Sequence, residues 1–164
     1  MKKDNSTHPE MLNAFVDDDF KKMKSLISAG LANVNDCDPR RKSFTTPLMR
    51  CAINDDNHEM LKWLLENGAD VNKKDGAGWT ALHFACEYKS IESIKSLIQG
   101  GADVNSKNNL GATPLLRLFA DFNEKNKDAF LIMTKAGADP KIKNNSGVSA
   151  FDIADDEIHG YLNN

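Results

Sequence analysis

The sequence predicts an all-α solenoid of about five stacked helix-turn-helix units, joined by projecting β-hairpin loops and capped by its terminal units. Two repeated phrases predict it. The first opens on a glycine and reads Gly30-Leu-Ala-Asn-Val-Asn35, Gly68-Ala-Asp-Val-Asn72, Gly101-Ala-Asp-Val-Asn105 and Gly137-Ala-Asp-Pro140, at spacings of 38, 33 and 36 residues. The second runs in step with it: Thr46-Pro-Leu-Met-Arg-Cys-Ala52, Thr80-Ala-Leu-His-Phe-Ala-Cys86, Thr113-Pro-Leu-Leu-Arg-Leu-Phe119 and a weaker Ser149-Ala-Phe-Asp-Ile-Ala154. Such a period marks units that cannot bury an apolar face alone and must stack. The organisation that follows is an N-terminal tail over 1–9 and a single domain over 10–162. Its units lie near 10–37, 38–74, 75–107, 108–143 and 144–162.

Each unit carries two apolar stripes. In the first, Met11, Ala14 and Phe15 fall where one helix packs, and Met23, Leu26 and Ile27 where its partner does. Asp17, Asp18, Asp19, Lys21, Lys22 and Lys24 occupy its outer positions, as an N-terminal cap facing water requires. In the second, Leu61-Lys-Trp-Leu-Leu65 lies on a second helix, which places Trp63 in packing or on the convex side. In the third, Thr80 can cap a helix whose stripe is Ala81, Leu82, Ala85 and Cys86. Ile91, Ile94, Leu97 and Ile98 then form the stripe of its partner. Gly100-Gly101 ends that helix, because glycine accepts the left-handed conformation. Asp75-Gly76-Ala77-Gly78 has the chemistry of a tight projecting turn. In the last unit Ser149, Ala150, Phe151, Ile153 and Ala154 give one helix, and Ile158, Tyr161 and Leu162 can cover the unit before it.

Composition narrows the function. The 164 residues carry a net charge of −3, so no basic field points to nucleic acid. Lys107, Lys125, Lys127, Lys135, Lys141 and Lys143 are diluted by nearby acids and read as a solvated face. The cysteines, Cys37, Cys51 and Cys86, are odd in number and widely spaced, with no Cys-x-x-Cys pair. Cys51 and Cys86 sit at small apolar positions, as buried hydrophobes of a reducing compartment do. The N-terminus has two lysines but no apolar h-region, and no 18-residue apolar run exists to span a membrane. The expected location is the cytoplasm, although a chain shorn of its leader would read the same.

Thr-Pro-Leu-His-x-Ala, followed about twenty residues later by Leu-Leu-x-x-Gly-Ala-Asp-Val-Asn, resembles the ankyrin repeat. The resemblance covers roughly residues 10 to 162, and Asp75 to Lys107 fits at the full 33 residues without a gap. It implies a concave face of hairpin tips and first helices that binds another protein. It also implies that His83 is the structural histidine bridging backbone groups of adjacent hairpins. Asn72 and Asn105 match repeat asparagines that hydrogen-bond the loop.

Departures from the repeat pattern supply candidate contacts. The hairpin before the second unit is about three residues longer than the consensus and reads Asp38-Pro-Arg-Arg-Lys-Ser-Phe44. Arg40, Arg41, Lys42 and Phe44 follow from it. The turn Asp121-Phe-Asn-Glu-Lys-Asn-Lys127 gains about as many residues and adds Asp121 and Phe122. Insertions in repeat proteins map to loops, often on the binding face, and drift is also tolerated there at little cost. Trp79 follows the hairpin glycine, at a position that the resemblance projects toward the concave face. Tryptophan is enriched among interface anchors, and it can equally lie over its own hairpin. Ala77, Glu87, Tyr88, Leu110 and Ala112, with Ile53 and Asn54 one unit earlier, complete the stripe.

No Ser-His-Asp or Cys-His order and no Gly-x-x-x-x-Gly-Lys phosphate loop occurs. The expectation is therefore a non-catalytic module without cofactor or metal, monomeric when free, holding a folded protein through its concave face and hairpin tips. A stoichiometric inhibitor or immunity protein for an enzyme or toxin is the leading form. A scaffolding or host-directed adaptor that binds several partners or short peptides weakly is the alternative. Affinity separates them, nanomolar for the first and micromolar for the second.

Overall fold

The structure, a computed structural model, describes residues 8–37, 44–119, 126–154 and 160, with the side chains of Phe15 and Val16 left aside. Among these residues the helices are α1 Pro9–Asp17, α2 Phe20–Ser28, α3 Pro47–Cys51, α4 His58–Glu66, α5 Ala81–Tyr88, α6 Ile91–Gln99, α7 Pro114–Leu118, α8 Lys127–Lys135 and α9 Ala150–Ile153. All are short, and side-chain chemistry sets the starts of α1, α2, α3, α7 and α9. The Thr46 and Thr113 hydroxyls accept from the N–H of Met49 (3.3 Å) and Leu116 (3.2 Å), with Pro47 and Pro114 next in line. A proline there gives up only an N–H that a helix start leaves free. At α9, Ser149 Oγ accepts from Asp152 N–H and the Asp152 carboxylate accepts from Ser149 N–H, a reciprocal capping box.

The helices form two rows. First helices α3, α5 and α7 pack side by side in one, and α4, α6 and α8 in the other. Between the rows runs one apolar strip, from Val34 through Leu48, Leu82 and Leu115 to Ala150. Leu61, Leu64, Ile94, Leu97, Phe130 and Met133 fill it from the second row. Phe119 meets Phe130 edge to face, with ring centroids 5.8 Å apart. In α1 and α2, Met11, Ala14, Met23 and Leu26 are buried as their stripes predict.

Successive units are fastened by two sets of bonds. In one, an asparagine amide clamps the next Gly-Ala-Asp loop. Asn35 Nδ2 donates to Gly68 C=O (3.3 Å) while its Oδ1 accepts from Asp70 N–H (2.8 Å). Asn72 does the same to Gly101 and Asp103, and Asn105 to Gly137 and Asp139. The amide supplies one donor and one acceptor, which is what a loop with a free N–H and a free C=O needs. Asn72→Ala is expected to cost about 1–2 kcal/mol, since both groups are left to water. A thermal midpoint lowered by several degrees checks this, and an unchanged midpoint would mean that water replaces both bonds.

The hairpins make the other set. The described ones close with Asp75 N–H to Trp79 C=O (2.9 Å), Asn108 N–H to Ala112 C=O (3.0 Å) and Asn144 N–H to Val148 C=O (2.8 Å). They are hairpins by their closing bond, and no strand ladder forms in them. A five-residue loop is too short for a ladder, so its amides bond instead to the Asp or Asn at its start. The next hairpin docks directly, with Asn109 N–H to Ala77 C=O (3.0 Å) and Asn145 N–H to Leu110 C=O (3.0 Å). Ile158, Tyr161 and Leu162, proposed to cover the last unit, lie outside the described residues.

Candidate functional site

Trp79 is fixed by its backbone first. Its N–H donates to Asp75 Oδ1 (2.8 Å) and its carbonyl receives Asp75 N–H. The half-buried ring then packs on Phe84, with centroids 5.0 Å apart, and lies 5.8 Å from His83. Arg117 reaches over the ring from α7, with its guanidinium carbon 5.0 Å from the centroid. Glu87 of α5 holds that guanidinium through two bonds, Nε to Oε2 (2.9 Å) and Nη2 to Oε1 (2.8 Å). A bidentate fork fixes the plane of the guanidinium, and the cation over the indole adds about 0.5–1 kcal/mol. Trp79 is therefore clamped by the following unit and does not swing freely from its hairpin.

Beside it opens a cleft of about 350 Å³. Thr45, Arg50 and Ile53 line it from the preceding unit, Asp75 and Ala77 from the hairpin, and Trp79, Phe84, Glu87 and Tyr88 from the third unit. Arg50 is held by an ion pair with Asp18, the left-handed cap residue of α1. Arg50 and Arg117 hold the same place in the repeated phrase, and each reaches back to an acid of the preceding unit. Phe84 occupies that place in the unit between them. Asp18 faces water as expected and is also half of an inter-unit pair.

Several predicted contacts come together here: Ile53, Ala77, Trp79, Glu87 and the exposed Tyr88. Phe44 is exposed next to Thr45 in the chain, with φ +49°. Leu110, 70% exposed, sits on the next hairpin tip and outside the cleft. Asn54 also lies outside it. Its amide is spent locally, accepting from Asp56 N–H (3.0 Å) and donating to the Asp56 carboxylate (3.2 Å). Ala112 is a correction: it is 5% exposed and its carbonyl is taken by His83 Nε2 and Asn108 N–H. It shares the register of Trp79, but a methyl group is too short to leave the packed hairpin base. Arg40, Arg41, Lys42, Asp121 and Phe122 lie outside the described residues. Arg50, Phe84 and Arg117 were missed, although they share one place in the repeated phrase, the residue four after its threonine.

Trp63 lines a separate groove of about 360 Å³ between α2 and α4, under the Lys24 ammonium at 5.0 Å. His83 is fully buried. Its Nδ1 accepts from Thr80 N–H (3.1 Å) and its Nε2 donates to Ala112 C=O (3.0 Å) in the next hairpin. Those two bonds assign the tautomer. Burial pushes its pKa down to about 4, partly offset by the bond to Ala112. The same burial pushes the Cys51 and Cys86 thiols up, out of the reactive range, and Cys37 is half-buried. No helix among the described residues is long and apolar enough to cross a membrane.

A family model described as ankyrin repeats, in three copies, matches residues 11–108. Potassium channel AKT1 of Arabidopsis thaliana is 46% identical over 46 residues, 28% of this chain and 5% of that protein. Human SMC5-SMC6 complex localization factor protein 1 is 46% identical over 43 residues, 26% of this chain and 4% of that protein. Human protein phosphatase 1 regulatory subunit 27 is 49% identical over 35 residues, 21% of this chain and 23% of that protein. Each match spans under a quarter of the relative, about one repeat's length.

Proposed function

Because the chain belongs to the ankyrin repeat family, whose repeats bind other proteins, we propose that it holds one folded protein through the face of its hairpins and first helices. The binding acts by occupancy, as a stoichiometric inhibitor does. The observation that carries this reading is the clamped Trp79 beside an open cleft. A large aromatic already ordered by Glu87 and Arg117 loses little freedom on contact, and such residues dominate interface energies. The 35-residue likeness to a phosphatase regulatory subunit supports regulation by occupancy.

Capture from the native organism, with wild type and Trp79→Ala side by side, tests the reading. One stoichiometric partner is expected, bound at nanomolar dissociation constant and weakened at least roughly tenfold in the variant. Several micromolar partners, indifferent to Trp79, would replace the inhibitor with an adaptor.

A further inference from the structure

We propose that the cleft beside Trp79 receives a basic side chain, an arginine or lysine, projecting from the protein partner. This rests on the reading of that face as the binding face, and adds what enters it. The argument starts from three equivalent residues. Asp75, Asn108 and Asn144 each open a hairpin, and one side-chain oxygen of each accepts the N–H groups two and four residues on. For Asp75 the donors are Ala77 (2.9 Å) and Trp79 (2.8 Å). Two of the three hairpins do this with a neutral amide, so the fold needs an oxygen there and no charge. Only Asp75 carries one, and Asp75 lines the cleft.

The other charges of the cleft are already matched. Arg50 is paired with Asp18, and Glu87 with Arg117. Among the described residues no donor reaches the second oxygen of Asp75. Among the described residues the cleft is left with one unmatched negative charge beside the apolar side chains of Ile53, Phe84 and Tyr88. A lysine or arginine fits both features at once. Its methylene stem lies along apolar surface while its head meets a carboxylate and aromatic faces. An acidic side chain would meet like charge, and a purely apolar one would leave the carboxylate desolvated without a partner.

The test titrates the full chain with N-acetyl-arginine N-methylamide, following the Trp79 indole and the backbone amides of residues 75–88 by NMR. The citrulline, norleucine and glutamate counterparts serve as controls. Saturable shifts confined to this segment are expected, with arginine binding at least roughly tenfold tighter than uncharged citrulline. Asp75→Asn keeps the hairpin oxygen and is expected to abolish that difference. The citrulline comparison holds even if the variant folds poorly. Equal binding of arginine and citrulline, stronger binding of norleucine or glutamate, or no saturable shift would each overturn the proposal. A captured partner lost with Trp79→Ala but kept with Asp75→Asn would also overturn it, and leave the face itself standing. A partner indifferent to both would remove the face.

Discussion

Gly78→Ala is expected to destabilise the fold by roughly 3 kcal/mol, against about 1 kcal/mol for the same change at Gly101. Both glycines have positive φ, +78° and +86°, so both substitutions carry left-handed strain. They differ in what a new methyl group meets. At Gly101 nothing lies within 4 Å. At Gly78 the methyl carbon would stand 2.8 Å from Asn109 N and 3.1 Å from Asn108 Cα, and backbone cannot rotate aside. The neighbouring hairpin has to withdraw. That breaks Asn109 N–H to Ala77 C=O and Asn109 Nδ2 to Gly76 C=O (3.1 Å). Urea unfolding of the two variants, compared at equal slope, checks the difference. Equal losses would mean that the hairpins do not bear on each other in solution.

Acidification is expected to remove about 3 kcal/mol of stability through His83 alone. In the unfolded chain a histidine protonates near about 6.5. Folded, His83 stays neutral until about 4, because burial opposes its charge. Between those values the unfolded state binds the extra proton, so stability falls as the pH falls. The contribution is whole above the unfolded value and gone below the folded one. Nδ1 also accepts from Thr80, so a proton there abolishes a bond as well as adding a charge. His83→Gln is expected to be weaker at neutral pH, with a flatter loss through this window. Chemical denaturation at a series of pH values separates the two effects, and parallel curves would show that His83 does not titrate with unfolding.

The solenoid was legible because two phrases repeat in phase, and stacking leaves each unit the same local problem to solve. The same logic identified His83, Asn72 and Asn105, whose partners are backbone groups that every unit supplies. Contacts between unlike residues were harder to read. Trp79 stands out in its own hairpin, yet its clamp depends on Arg117, 38 positions later, and on Glu87 being near enough to hold that arginine. Register misled at Ala112, where the position matches Trp79 and only side-chain length decides what leaves the core. At Asp18 it was incomplete, since the exposed position of the first unit also pairs with Arg50 of the next. Leu110, on a hairpin tip, and Asn54, after the end of α3, both stand outside the cleft.

The two sets of bonds described above, asparagine amides and docked hairpins, start three residues apart in the same loop, at Asn72 and Asp75 and again at Asn105 and Asn108. Apolar packing has no direction of its own, and a stack held by its strip alone could slide from one register to another. Bonds between named donors and named acceptors work as a ratchet tooth and fix where each unit stops against the next. Trp79 and Asp75 therefore keep their place relative to Arg117 of the following unit. A partner meets a surface that needs little ordering on arrival.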